Sequence, residues 1–267
     1  MGARLREDLL ERWSSVLLVL AGMVVWEITA SLGWISTLFF PAPSSIAATL
    51  AAMTVSGELA ENLAATVGRF GIGLVAGGSA GFLCGILLGL SPRLRGILDP
   101  LVSGVYALPK LALFPLFLIL FGLGDSSRTV LIALAAFFPL LINTMAGVRQ
   151  IDPDYFDIAR SYGTGRLLML RRVVFPASLP SVLSGVRLSV GTSLTITIAV
   201  EMMNARTGLG AVVWMSWQTL RTDMLYVALL AAAALGGHLL LEFLSRRLIP
   251  WQAGRGEQSA ANAILEI

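Results

Sequence analysis

An all-α integral membrane protein of about six transmembrane helices is the fold class that this sequence predicts, on three observations. Apolar residues fill 56% of the 267 positions and charged residues only 13%, whereas a soluble domain is about 25% charged. Mean hydropathy is +0.81, and the length suits one bundle of membrane-crossing helices of about 20 residues each. The positive charge is also unevenly placed. With the N-terminus inside and six spans, thirteen of the nineteen Lys and Arg fall on inner segments. Three, Arg128, Arg206 and Arg221, fall on outer ones, and Arg69, Lys110 and Arg187 lie within spans. That bias places both termini and the longest polar segment in the cytoplasm. A net charge of +3 scattered between apolar spans is not a nucleic-acid footprint.

Residues 1–13 read as a basic cytoplasmic N-terminus and 14–248 as one transmembrane domain. The first span, about Ser14 to Leu32, follows a basic start as a signal peptide would. It has no convincing small-residue cleavage site and is read as retained. Glu27 interrupts it near one end, at the interface or facing another helix. The segment Gly33 to Leu59, with Pro41, Pro43 and a Ser44/Ser45 cap, predicts an outer interfacial helix. The second span, Glu61 to Leu90, carries Gly73, Gly77, Gly81, Gly85 and Gly89, a four-residue ladder that lets another backbone approach closely. Each step drifts about 40° at 3.6 residues per turn, so the ladder is expected to wind round the helix and serve more than one neighbour. Tight packing is its first reading and a substrate groove its second. Cys84, the single cysteine, is read as a small packing residue.

A loop from Ser91 to Gly96 leads to the third span, Ile97 to Gly122, broken by Pro100, Pro109 and Pro115. Backbone carbonyls freed by proline are tolerated only against protein or a water-lined cavity. Lys110, the only lysine, stands between two of these prolines. A mid-span ammonium there can meet an anionic substrate, snorkel to an interface or pair with a carboxylate. An outer loop, 124–128, precedes the fourth span, Thr129 to Val148, with Pro139 and Asn143. The fifth span, Pro180 to Met203, carries Ser189, Thr192 and Thr195 at three-residue spacing, close to one face. Such a face can hydrogen-bond across helices or line a polar pathway, and Glu201 closes the span. The outer segment Asn204 to Met224, with Trp214 and Trp217, suits an interfacial or re-entrant helix. The sixth span is about Leu225 to Leu244. It holds His238, with no ligand cluster for a metal site. The tail, 249–267, is polar and alanine-rich and is expected to be disordered.

The longest polar interruption, about 149–180, has its own internal order. Asp152 can cap a helix that begins at Pro153. Tyr155, Ile158, Ala159 and Tyr162 then follow an i, i+3, i+4, i+7 pattern and form one apolar face, opposite Asp154, Asp157 and Ser161. Gly163 stands where a helix ends in the left-handed conformation. Thr164 can cap a second, basic helix with Arg166, Arg171 and Arg172, which stops before Pro176. The expected result is a helical hook projecting from the membrane with one face ready for a partner.

The sequence Asp157-Ile158-Ala159, then Gly163, Pro176 and Pro180, resembles the EAA loop of ABC-importer permeases. AGVRQIDPDYFDIARSYG, RRVVFPASLPSVLSGVRLSVG and ARTGLG are similar to the nitrate/sulfonate/taurine/bicarbonate class, with the resemblance covering roughly residues 41 to 250. It implies a type I importer permease fold in a bacterial inner membrane. It also implies an ATPase-coupling role for Asp157, Ile158, Ala159, Arg160, Tyr162 and Gly163. The usual Glu-Ala-Ala reads Asp-Ile-Ala here, so the matching groove on the ATPase is expected to differ locally. The stretch ALPKLALFPL falls near the family's translocation path, and an acidic residue before Gly-Leu-Gly matches Glu201 and Gly208-Leu209-Gly210. Lys110, Thr192, Thr195 and Glu201 are thus the candidate pathway residues. For Glu201 a gating or interface role stands beside that of an ordinary carboxylate at headgroup level. The partners implied are a pair of ATP-binding subunits, a second copy of the chain, a substrate-binding protein on the outer face and membrane lipid.

No G-x-x-x-x-G-K-[ST] occurs, since the single lysine follows Pro109, so ATP and its magnesium belong on a separate subunit. G-x-S-x-G and H-E-x-x-H are also absent, and the chain is expected to have neither catalytic nor metal-binding residues. An ion-driven secondary transporter would want paired intramembrane carboxylates and an inverted repeat. The spans offer little beyond Glu27 and Glu201. A membrane scaffold would not need a capped cytoplasmic hook.

Overall fold

A computed structural model describes the backbone of residues 2–236 and the side chains of residues 17–236. His238, Arg246, Arg247, the tail 249–267 and the end of the expected sixth span lie outside the described residues. All regular structure within them is helical: α1 Gly2–Ser31, α2 Pro43–Ser56, α3 Glu58–Leu90, α4 Pro92–Ala107, a 3-10 turn Lys110–Leu113, α5 Phe114–Phe121, α6 Asp125–Arg149, α7 Pro153–Ser161, α8 Arg166–Met169, a π-helical turn Leu170–Val174, α9 Phe175–Asn204, α10 Leu209–Gln218 and α11 Thr222–Leu235. Three stretches are long and apolar enough to cross a membrane: Glu58–Leu90, Asp125–Arg149 and the continuous Arg166–Asn204. Pro92–Ala107 with Lys110–Phe121 makes a fourth if the pair is one bent span, while Leu17–Ser31 and Thr222–Leu235 are apolar but shorter. Length and composition alone therefore support three or four spans among the described residues, fewer than the six expected.

The described residues form two compact units, one built from residues up to 65 with 201–233 and the other from 66–200. In the first, Ile46 and Met53 of α2 pack with Val212 and Val213 of α10 and with Met224, Val227 and Ala228 of α11. The residue before α2 is Ala42, with no side-chain cap, so the expected Ser44/Ser45 cap does not form. The Glu27 carboxylate instead accepts the backbone N–H of Ser44 at 2.9 Å and its hydroxyl at 2.7 Å. A carboxylate at a helix N-terminus satisfies a free donor and meets the positive end of the dipole. Glu27 thus faces another helix, one of the two alternatives its sequence position left open.

In the second unit α3 packs along α6. A Cβ placed on Gly73, Gly77, Gly81, Gly85 or Gly89 would overlap Ile132, Ala133, Phe137, Thr144 or Val148 respectively. All five glycines therefore meet α6, and the expected spread over several neighbours does not occur. The contacts advance together along both chains, so the helices run parallel for sixteen residues of α3, about 24 Å. A four-residue contact period is longer than a helical turn, so two helices keep such a register by winding right-handedly about each other. That winding removes the drift a straight helix would show. Half-buried Cys84 packs beside Leu88, Leu141 and Met145.

The expected third span is a corner rather than a kinked rod. Its two pieces meet at 88° around Leu108, which is extended (φ −66°, ψ 138°). The ring of Pro109 forces extension on the residue before it, while Pro115 sits at the start of α5, where a missing N–H costs nothing. Two expected loops contract. Helix α4 starts at Pro92, capped by Ser91, because Pro is at home in a first turn. Helix α6 starts at Asp125, whose carboxylate pairs with the buried Arg69 at 2.8 Å and the buried Arg128 at 2.6 Å.

Candidate functional site: the hook and a lysine-threonine cleft

The hook forms at α7. Asp152 Oδ1 accepts the N–H of Asp154 at 3.0 Å, with Pro153 as first helical residue. At the other end Gly163 has φ +66°. Its N–H reaches the carbonyl of Arg160 at 2.9 Å, while the N–H of Thr164 reaches that of Ala159 at 3.0 Å. These two bonds are the Schellman pattern, and the backbone angle is why glycine stands there.

The apolar face divides in two. Ala159 is buried and Phe156 half-buried, and Phe156 packs against the cluster of Ile86, Val148, Ile151 and Val174. Tyr155, Ile158 and Tyr162 point outward, at 62%, 56% and 84% exposure. Ala159 is therefore on the side of α7 turned toward the rest of the chain, and Tyr155, Ile158 and Tyr162 are on the side turned away from it. The exposed Asp157 and Arg160 pair at 3.2 Å one turn apart, so neither is an isolated charge.

Beyond Gly163 the structure departs from expectation. The next helix is preceded by Gly165, with no side-chain cap, so Thr164 does not cap it. Nor does it stop before Pro176. It continues through the π turn at Leu170–Val174 into α9, making one rod from Arg166 to Asn204. Pro176 lacks a backbone donor and would strand a carbonyl one turn earlier. A π turn shifts the bonding pattern by one residue and lets the helix run on across that gap.

Three of the four candidate pathway residues come together. Lys110, Thr192 and Thr195 line one cleft of about 390 Å3 with Leu108, Pro109 and Ala135. The half-buried Lys110 ammonium donates to the Tyr106 carbonyl at 3.2 Å and lies 4.5 Å from the centre of the Tyr106 ring and 5.8 Å from that of Phe138. Among the described residues no carboxylate pairs with it. Aromatic faces hold a cation without neutralising it, so the charge remains available to an anion.

The hydroxyl face has a structural duty as well. Pro139, inside α6, cannot donate to Ala135, and its ring crowds the preceding turn. The Ser189 hydroxyl donates to the Ala136 carbonyl at 2.7 Å, and the Thr192 hydroxyl shares its one hydrogen between the Leu188 carbonyl of its own helix at 2.9 Å and the Ala135 carbonyl at 3.1 Å. Thr192 thereby reaches the carbonyl that Pro139 leaves without a helical donor, and Ser189 adds a second bond to the same turn of α6. Thr195 bonds only within its own helix, to Gly191, and its exposed hydroxyl faces the cleft.

Glu201 is not part of that lining. It is fully buried and accepts the N–H of Gly210 at 3.0 Å, at the start of α10. Gly208 passes so close, at φ +119°, that any Cβ would overlap the carboxylate, and its N–H is held by the Asn62 amide oxygen at 2.8 Å. This buried carboxylate is a cap for α10.

The chain matches the family described as binding-protein-dependent transport system inner membrane component over residues 77–253. It is 36% identical to the taurine transport system permease protein of Escherichia coli over 86% of each chain. It is 32% identical to a Bacillus subtilis protein provisionally named an aliphatic sulfonates transport permease, over 90% of this chain and 88% of that one. With the bicarbonate transport system permease protein of Synechococcus elongatus it shares 30% over 91% of each. The family match spans the glycine ladder from Gly77 onward, the hook and the cleft, and the chain belongs to the inner-membrane permease components of binding-protein-dependent transport systems.

Proposed function

We propose that this chain is the transmembrane subunit of an ATP-driven importer for a small anion of the sulfonate, taurine, nitrate or bicarbonate kind. A separate pair of subunits binds ATP and magnesium. A substrate-binding protein delivers the anion at the outer face, and a second copy of the chain completes the pathway on a two-fold axis. The setting is a bacterial inner membrane crossed about six times, with both termini in the cytoplasm. The observation that carries this reading is the exposed hook face of Tyr155, Ile158 and Tyr162, projected by a helix that is closed at both ends and anchored through Phe156 and Ala159. Three large apolar side chains one turn apart fit a groove on a partner.

Closure of the ATP-binding pair would press on that face and, through the continuous α8, π turn and α9, move the hydroxyls that line the cleft. Lys110, Thr192 and Thr195 would meet the anion there.

The test is purification of the tagged permease in mild detergent from its own cell. An ATP-binding subunit in equal amount is expected. Asp157→Lys and Gly163→Leu should insert normally yet uncouple hydrolysis from uptake. A permease that purifies alone under every gentle condition, with uptake untouched by either variant, would overturn the reading in favour of an ion-driven carrier.

A further inference from the structure

The hook has an inner side as well as an outer one. Behind α7, against the ends of α3, α4 and α6, lies a cleft of about 500 Å3 whose lining includes Arg95, Arg149 and Arg160 and no Asp or Glu. We propose that this cleft binds a phosphate-type anion, gripped by the three guanidinium groups and taken either from an acidic phospholipid or from free phosphate.

Three arginines from three different helices, Arg95 half-buried and Arg149 and Arg160 exposed, line this one cleft with no carboxylate in the lining, so an anion entering it meets three like charges at once. The dipoles of the helices account for only two. Arg149 and Arg160 stand in the last turns of α6 and α7, where a cation is favoured. Arg95 stands in the first turn of α4, where a cation is disfavoured and an anion welcome. Among the described residues Arg95 and Arg149 take part in no ion pair, while Arg160 pairs with Asp157 outside, at 3.2 Å. Val148, Ile151 and Phe156 supply an apolar wall, and the volume exceeds that of a bare phosphate, so a phosphate ester with an apolar remainder fits best. Guanidinium groups hold phosphate oxygens in a forked geometry. An occupant would bridge the hook to the helix ends. The proposal does not depend on which solute is carried or on the ATP-binding partner.

The experiment is thermal unfolding of the full-length permease in dodecyl maltoside, titrated with dihexanoyl phosphatidylglycerol, dihexanoyl phosphatidylcholine, inorganic phosphate, or sodium chloride at matched ionic strength. Saturable stabilisation by phosphatidylglycerol and not by phosphatidylcholine is expected, with the midpoint about tenfold weaker in Arg95→Gln and lost in Arg95→Gln/Arg149→Gln. Arg93→Gln, two residues away and outside the lining, should behave as wild type. Stabilisation by inorganic phosphate beyond chloride would name the free ion as a source, and none would leave the lipid. The site is refuted if neither phosphate form exceeds its control, or if Arg95→Gln binds as wild type. Both results are readable even where the double variant fails to fold.

Discussion

The hydroxyl of Thr192 lies 3.1 Å from the carbonyl oxygen of Ala135, the acceptor that Pro139 leaves without a helical donor. A proline in α6 and a threonine in α9 are thus complementary halves of one repair. Thr192→Val keeps the shape and removes the donor. It is expected to cost about 1 kcal/mol, since hydrogen bonds between membrane helices are modest, while Thr192→Ser costs less. Thermal unfolding of the two variants in detergent would check the order, and equal stability would separate the hydroxyl from the proline.

The glycine ladder predicts a contrast between two helical glycines of α3. At Gly77 a Cβ would overlap the backbone of Ala133, whereas at Gly71 it would meet nothing within 4 Å. Gly77→Val should force the helices apart and destabilise by about 2 kcal/mol or more. Gly71→Ala should be neutral or stabilising by up to about 1 kcal/mol. Yield of folded protein after size-exclusion would separate them at once.

Removal of the buried cap should be felt at the start of α10. Glu201→Ala leaves the N–H of Gly210 without its acceptor and a void beside Gly208, at a cost of about 2–4 kcal/mol. Glu201→Gln keeps an oxygen and should cost less. Hydrogen exchange at the first amides of α10 reads this locally. Unchanged protection in the alanine variant would mean that the cap is dispensable.

Transport should depend on the charge at Lys110 and not merely on its length. Lys110→Gln is expected to lower uptake of a sulfonate or taurine about tenfold, the loss of one charge-assisted contact. Lys110→Arg should recover part of it. Uptake in cells lacking their own permease, with ATP hydrolysis measured beside it, distinguishes a weakened anion site from a broken coupling.

Much of the hook was legible because its signals are local. Asp152 and Pro153 start a helix and Gly163 ends one, and each acts within a turn of itself. The division of the apolar face was not legible, since Ala159 and Ile158 differ only in what the rest of the chain brings against them. The continuation past Pro176 escaped because a proline reads as a stop, and a π turn leaves no compositional trace. Prolines also marked the corner at Leu108 and Pro109, but an 88° bend depends on packing that no spacing encodes. For Glu201 the proximity of Gly208 and Gly210 was visible. What it meant, a carboxylate with glycine backbone folded round it, needs a positive φ that appears only in three dimensions.

The π turn at Leu170–Val174 also acts as a phase setting. Each residue turns an α-helix by about 100°, so the one-residue offset fixes the azimuth of everything beyond it relative to the hook. Winding the same five residues as an unbroken α-helix would turn α9 by about that angle. Ser189 and Thr192 would then face away from Ala136 and Ala135, or the hook would have to swing round to keep them in place. The outward aim of Tyr155, Ile158 and Tyr162 and the inward aim of the hydroxyl face are thus clocked against each other by the five residues that lie between them in the chain.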